Sequence, residues 1–146
     1  MKNVSVLILG LLCFGILSCQ EKKEEKNNEV PQAVWLSFQK KYPGEDDPDW
    51  KLDDHGYWES HFKQDGEKYR ADFKADGTWV ETENDIKKKN LPEAIKKVIK
   101  EKYPDEKITE VEHVLNAEKG EFYDVEFKRK GKNMDIMFRK DGSIIE

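Results

Sequence analysis

PQAVWLSFQKKYP, residues 31–43, returns as PEAIKKVIKEKYP at residues 92–104. Each copy opens on a proline and closes on Lys-Tyr-Pro. Apolar side chains stand at 34, 35, 38 and 42 in the first, and at Ala94, Ile95, Val98, Ile99 and Tyr103 in the second. That spacing predicts one helix per copy with a single apolar stripe. The opening proline suits a first turn, and the closing proline ends the helix because it disfavours helical backbone at the residue before it. The repetition continues downstream. YWESHF at 57–62 lines up with FYDVEF at 122–127, and YRADFKADGTW at 69–79 lines up with MDIMFRKDGSI at 134–144. The offset is 61 residues in the helical block and 65 in the other two, so four residues are gained between Pro104 and Phe122. A unit of this size written twice predicts one supersecondary pattern used twice, side by side. Chemistry that needs a unique constellation must then lie where the copies differ.

After each helix the apolar period falls to two. Trp50 and Leu52 alternate with Lys51 and Asp53; Trp58, Ser60 and Phe62 alternate with Tyr57, Glu59 and His61; Tyr69, Ala71 and Phe73 alternate with Lys68, Arg70 and Asp72. Turn signals stand between these runs at His55 and Gly56, at Gln64, Asp65 and Gly66, and at Ala75, Asp76 and Gly77. A last strand is expected over 78–82. The second copy predicts strands near 109–115, 121–128, 133–139 and 143–146. Strands joined by tight turns pair antiparallel. The fold class is therefore α+β, built as two tandem α-β-β-β-β repeats, the first at residues 31–84 and the second at 85–146.

The alternation assigns faces. Positions apolar in both copies are expected to face the helices: Trp58 and Tyr123, Phe62 and Phe127, Tyr69 and Met134, Ala71 and Ile136, Phe73 and Phe138, Trp79 and Ile144. Ser60 aligns with Val125 on that side. The opposite face carries Tyr57, Glu59, His61, Arg70 and Asp72 from the first copy, and Phe122, Asp124, Glu126, Asp135 and Met137 from the second. A sheet with helices on one side leaves the other to water or to a partner. This acidic face with scattered aromatics is the candidate functional surface.

The N-terminus is read as a lipoprotein signal peptide over residues 1–18. Met1 and Lys2 give a positive start, and the apolar run over 4–17 is too short for a comfortable membrane span. Ile16, Leu17, Ser18 and Cys19 resemble a bacterial lipobox, in which the Cys is lipidated and becomes the first residue of the mature protein. An ordinary signal cleaved nearby, or an uncleaved anchor, is the other reading. With Cys19 acylated and Cys13 removed, the mature chain keeps no free thiol, so disulfide, CxxC and thiolate metal chemistry are excluded. Residues 19–30 are read as the lipidated Cys and a disordered tether, since residues 20–29 contain only Lys, Glu, Asn and Gln. At most ~3.5 Å per residue, this tether would hold the folded part up to about 35 Å from the lipid. Glu21 to Glu25 is similar to the surface-export signal of Bacteroidetes lipoproteins. The expected location is the cell envelope, as an outer-membrane lipoprotein facing the periplasm or the surface.

Formal charge is −5, with 39% charged residues. A mildly acidic, mixed-charge surface argues against nucleic acid or an anionic membrane face as ligand. The helix ending in Lys-Tyr-Pro, the strand of the FYDVEF type and the closing Asp141-Gly142 turn resemble PepSY-like domains, among them the β-lactamase-inhibitor-like lipoproteins of Bacteroidetes. The second copy is the closer match; the first departs at Trp58, Ser60 and His61. The resemblance implies one continuous antiparallel sheet with helices packed on one face. It also implies similarity to the β-lactamase inhibitory protein (BLIP), whose concave sheet face binds an enzyme.

Enzymatic motifs are absent: the sequence has no Gly-rich phosphate loop, no HExxH and no GxSxG. No catalytic residue and no cofactor is assigned. His55, His61 and His113 lack metal-ligand spacing. The acids at 45–47, 49, 53 and 54 lack the DxDxDG spacing of a calcium loop and read as a solvated loop, so no metal site is assigned either. His61 is placed to meet a carboxylate such as Glu59 or Asp72. All four tryptophans belong to the first copy. Trp58 and Trp79 are expected in the core; Trp35, aligned with Lys96, either packs between the halves or under the tether, or is an exposed partner anchor. The leading reading is a non-enzymatic, lipid-anchored module that binds an envelope or extracellular protein through the open face. Tyr57, His61, Arg70, Phe122 and Met137 would be its contacts, and Glu59, Asp72, Asp124 and Asp135 its steering charges. The alternative is an envelope protein binding a small ligand or a cation.

Overall fold

The two Lys-Tyr-Pro segments fold as helices α1 (Gln32–Lys41) and α2 (Glu93–Lys102). Pro31 and Pro92 each sit at the N-cap, where a missing N–H costs nothing. Their carbonyls accept the first helical bonds, from Trp35 and Lys96, both at 3.1 Å. Tyr42 and Tyr103 donate the last bonds, to Phe38 and Ile99, before the following proline stops each helix. The computed structural model describes residues 29–145; the signal-like segment, Cys19 and residues 20–28 lie outside the described residues.

Seven strands follow in chain order: β1 (Asp49–Leu52), β2 (Trp58–Gln64), β3 (Glu67–Phe73), β4 (Trp79–Asp85), β5 (Lys107–Asn116), β6 (Gly120–Arg129) and β7 (Lys132–Phe138). They form one sheet in the order β1 to β7, every neighbouring pair antiparallel. The hairpins β2–β3 and β6–β7 turn on Asp65-Gly66 and Lys130-Gly131, both residues of each pair at positive φ. That backbone is the two-residue turn whose twist matches the strands. Among the described residues, the only long connection between strands runs from β4 through α2 to β5, and these two strands still pair side by side. This pairing joins the two halves into one sheet.

The eighth strand expected at 143–146 does not form. Its place is taken by a single bridge between Phe138 and Ile144, with Ile145 donating to the Met137 carbonyl at 2.9 Å. This segment has only β7 beside it, whereas β4, its counterpart in the first copy, lies between β3 and β5 and runs on to Asp85.

Both helices close the same side of the sheet. Val34, Phe38 and Tyr42 pack on Trp58, Phe62, Ala71 and Phe73; Leu91, Ile95 and Ile99 pack on Val111, Val125, Phe127 and Phe138. The inward positions read from alternation are therefore inward. The first core is aromatic: Phe38 meets Phe62 edge-on at 5.1 Å and Trp50 at 5.3 Å, geometries worth ~0.5–1.5 kcal/mol each beyond area. Trp35 is half-buried against Phe38 and Trp50, within the first half and not between the halves. Trp79 packs at the edge of the same core, with the Lys41 ammonium 3.6 Å from its ring and its indole N–H donating to Thr82 at 3.0 Å. The Tyr42 hydroxyl also reaches the Thr82 hydroxyl, tying the end of α1 to β4.

A β-bulge lies between β3 and β4. Phe73 opposes Trp79 and Asp72 opposes Glu81, leaving Val80 as the extra residue. The bulge reverses the alternation within β4, so Thr82 turns to the helices and Glu81 and Glu83 turn to the opposite face. A second irregularity in β5, between Ile108 and Glu110, does the same for Glu110.

Candidate functional site on the open face

Neither α1 nor α2 covers the other face of the sheet. Cross-strand register brings its side chains into rows. Lys51, Glu59, Asp72, Glu81 and Asn116 form one row across β1 to β5. Asp49, His61, Arg70, Glu83, Val114 and Phe122 form the next. Asp85, Glu112, Asp124 and Met137 form a third, across β4 to β7.

Arg70 is the hub. Its guanidinium pairs with Glu83 and lies 3.9 Å from an Asp72 oxygen. Glu59 is held separately, by the Lys51 ammonium at 2.8 Å and by His61. The contact expected between His61 and a nearby acid is thus made, with Glu59. Burial opposes ionisation of Glu59, yet the hydrogen bonds from Lys51 and His61 prevail and hold its carboxyl below the usual range.

The other acids have less support. Burial pushes Asp72 up to about 6, against the pull of Arg70. Burial pushes Glu83 up to about 8, with Glu112 and Glu81 adding to the rise, and Glu112 up to about 7. Asp124 is also raised, by burial and then by Asp135. Arg70 is raised in turn, because burial is outweighed by the surrounding carboxylates, and so stays charged.

Two expectations need correction. Phe122 is not an exposed contact: it is 4% exposed, opposes the buried Val114, and has the Lys119 ammonium 5.9 Å from its ring. Alternation tells which face a side chain takes; it does not tell what its neighbours cover. Glu59 and Asp72, read as steering charges, are also buried, at 6% and 4% exposure. His61 and Asp135 are exposed; Tyr57, Arg70, Asp124 and Met137 are half-buried. Tyr57 is fixed at the mouth of β2, its backbone N–H donating to the Asp53 carboxylate at 2.7 Å.

The sequence reading missed Glu81, Glu83, Glu110 and Glu112, which occupy the centre of the face. Simple alternation from Trp79 sends Glu81 and Glu83 to the helices; only the bulge turns them out. Asp85, Glu110 and Glu112 also bring ligand atoms within 4.8 Å of one another, a grouping drawn from two strands far apart in sequence. Of the three depressions that Arg70 lines, two gather most of the carboxyl groups. One, of about 570 Å³, includes Tyr57, Glu59, Asp72 and Glu81; the other, of about 310 Å³, includes Glu83, Glu112, Asp124 and Asp135. The acidic loop at 45–47 lies apart from both, around a separate depression with Phe62 and Tyr69.

A family described as "Putative beta-lactamase-inhibitor-like, PepSY-like" matches residues 56–146, more than half of the chain. The chain belongs to this PepSY-like family. No curated protein matches it. Its fold is that of several solved Bacteroides structures. A BLIP-like protein from Bacteroides fragilis is 24% identical, with TM-score 0.70 over 80% of this chain and 84% of that one. A DUF2874 family protein from Bacteroides uniformis is 22% identical, with TM-score 0.71 over 80% and 86%. A structure described as among "putative periplasmic proteins" of Bacteroides eggerthii is 21% identical, with TM-score 0.70 over 80% and 86%. The PepSY-like, BLIP-like architecture inferred from the Lys-Tyr-Pro and Asp-Gly signatures is therefore the architecture of the molecule.

Proposed function

We propose that this PepSY-like chain is a non-enzymatic module of the cell envelope, anchored by lipid at Cys19, that binds a protein partner through the open face of its sheet. The observation that carries this reading is the asymmetry of the sheet. One face is closed by two helices over two apolar cores; the other spans seven strands, carries depressions lined by Arg70, and has no helix against it among the described residues. The inhibitor-like description of the family agrees with a binding role, and the periplasmic description of a structural neighbour agrees with the envelope. A role for Trp35 as an anchor would place a second contact on the helix side.

The test is a crosslinking pull-down from the source envelope with three baits: the wild type, Tyr57→Ala/Met137→Ala on the open face, and Leu36→Ala/Lys97→Ala on the helix side. A partner retained by the helix-side variant and lost by the open-face variant supports the reading. Equal capture by all three sinks it.

The alternative, a cation-binding envelope protein, is favoured by one observation, the convergence of Asp85, Glu110 and Glu112. Calcium in millimolar excess should then raise the melting temperature of the wild type but not of Glu112→Gln, since a ligand of the native state stabilises it. An unchanged wild-type midpoint would remove this alternative.

A further inference from the structure

We infer that the depression bounded by Tyr57, Glu59, Asp72 and Glu81 receives a lysine or arginine side chain of the protein partner, with Asp72 as the carboxylate that takes its charge. This inference rests on the open-face reading and specifies the chemistry of the partner.

Charge is the first reason. The depression collects five carboxylates, those of Asp53, Asp54, Glu59, Asp72 and Glu81, against the fixed charges of Lys51 and Arg70. Both cations already have a carboxyl group in contact, Lys51 that of Glu59 and Arg70 that of Glu83.

The second reason is independent of the count. Asp72 is 4% exposed, yet its Oδ1 has no hydrogen-bond partner, and its nearest cation, Arg70 Nε, stands 3.9 Å from the other oxygen. A buried carboxylate oxygen without a donor carries an uncompensated desolvation cost, which an incoming ammonium or guanidinium would relieve. The exposed Lys51 side chain is pinned at one point only, so it can move aside. Tyr57 also lines the depression, and an aromatic ring beside a bound cation adds to its attraction.

The third reason is that this constellation belongs to one repeat. Asp72 aligns with Met137, Arg70 with Asp135, and Tyr57 with the buried Phe122. The second copy keeps the fold without the receptor, so fold alone does not account for it.

Several groups face Asp72: Asp53 before the β2 turn, Lys51 on β1, Glu59 and His61 on β2, Arg70 on β3, and Glu81 and Glu83 on β4. Burial holds Asp72 partly protonated near pH 6. A bound cation favours its ionised form, so docking releases a proton and weakens as pH falls.

The experiment uses fluorescent tetralysine and tetraglutamate peptides, titrated by anisotropy against the full chain in detergent at low salt. Wild type should bind tetralysine and not tetraglutamate. Asp72→Asn should weaken tetralysine binding at least tenfold, and Glu81→Gln severalfold, while Glu101→Gln on α2, which removes one charge elsewhere, stays within twofold. Between pH 7.5 and 5 the wild type should lose about tenfold in affinity, from one ionisation shifted by about one unit of pH below its midpoint, and Asp72→Asn should lose much less. Glu81→Gln lies half-buried at the rim and keeps the test readable if Asp72→Asn folds poorly. Equal losses in Asp72→Asn and Glu101→Gln, or binding of calcium in place of the peptide, overturn the inference. If the pull-down still depends on Tyr57 and Met137 after such a result, the open-face reading stands without it; if that dependence is also missing, both fall.

Discussion

Arg70 carries more of the open face than any other residue. It pairs with Glu83, lies beside Asp72, and lowers the cost of ionising Glu112. Removing one member of a buried charge group leaves the rest uncompensated, typically at ~3–5 kcal/mol. Arg70→Gln should therefore be among the most destabilising substitutions on this face. Its cost should also depend on pH. Near pH 5 the carboxyls of Glu83 and Glu112 are protonated in the folded chain and need no cation; near pH 8.5 they are largely ionised and do. Urea melts at the two pH values should give a smaller loss at pH 5 than at pH 8.5. An equal loss at both would mean that Arg70 acts through packing of its side chain and not through charge.

At the scale of elements, the Asp76-Gly77 and Asp141-Gly142 turns are where the sheet meets the helices. Asp76 and Asp141 each accept the backbone N–H two residues on, at 2.9 Å, and the glycine that follows takes positive φ. The same glycine lies against the first turn of its helix. A Cβ on Gly77 would stand 2.5 Å from the Ala33 carbonyl oxygen, and one on Gly142 would stand 3.0 Å from that of Ala94. Gly56 has a similar φ but open space around it. Gly56→Ala should thus cost about 1–2 kcal/mol, the strain of left-handed backbone alone. Gly77→Ala should cost clearly more, with Gly142→Ala between them; thermal melts of the three order the effects, and a Gly77→Ala cost no larger than that of Gly56→Ala would show that the helix simply moves away. These turns explain why so much was legible in the sequence. Helix ends at Pro43 and Pro104, hairpins at Asp65-Gly66, and inward positions such as Phe62 and Phe127 are set by residues close in the chain. The centre of the open face was not legible. Glu83 meets Arg70 only through the β3–β4 register, which a bulge at Asp72 and Phe73 shifts, and Glu112 joins them only because β4 and β5 pair across a helical excursion. The final strand was misread because Ser143 and Ile144 keep the pattern of their counterparts without neighbours on both sides.

For the whole molecule, the carboxylates fall into two groups with opposite effects on stability. Asp72, Glu83 and Glu112 are raised by burial to about 6, 8 and 7. In the unfolded chain they would titrate near 4. Between those values the folded state holds protons that the unfolded state has released, so their contribution is fully present below about pH 4 and is lost as pH rises through 6 to 8. Glu59, Asp76 and Asp141 are lowered: Glu59 because its bonds to Lys51 and His61 outweigh burial, Asp76 and Asp141 by hydrogen bonds within their turns. Their contribution is present above about pH 4 and is lost on further acidification. The melting temperature should therefore peak near about pH 5 and decline toward pH 8.5. A difference of about 1 kcal/mol corresponds to several degrees in a domain of this size, so the decline should amount to about 5 °C or more. Glu83→Gln should flatten it by removing the most strongly raised carboxyl. A protein stabilised by mild acid, whose buried acids are relieved by a cationic partner, would gain stability when that partner binds at pH 7.5 and less at pH 5. A scan in which the midpoint is flat or rises from pH 5 to 8.5 would mean that the open face ionises without cost, and would remove the electrostatic reason for a cationic partner.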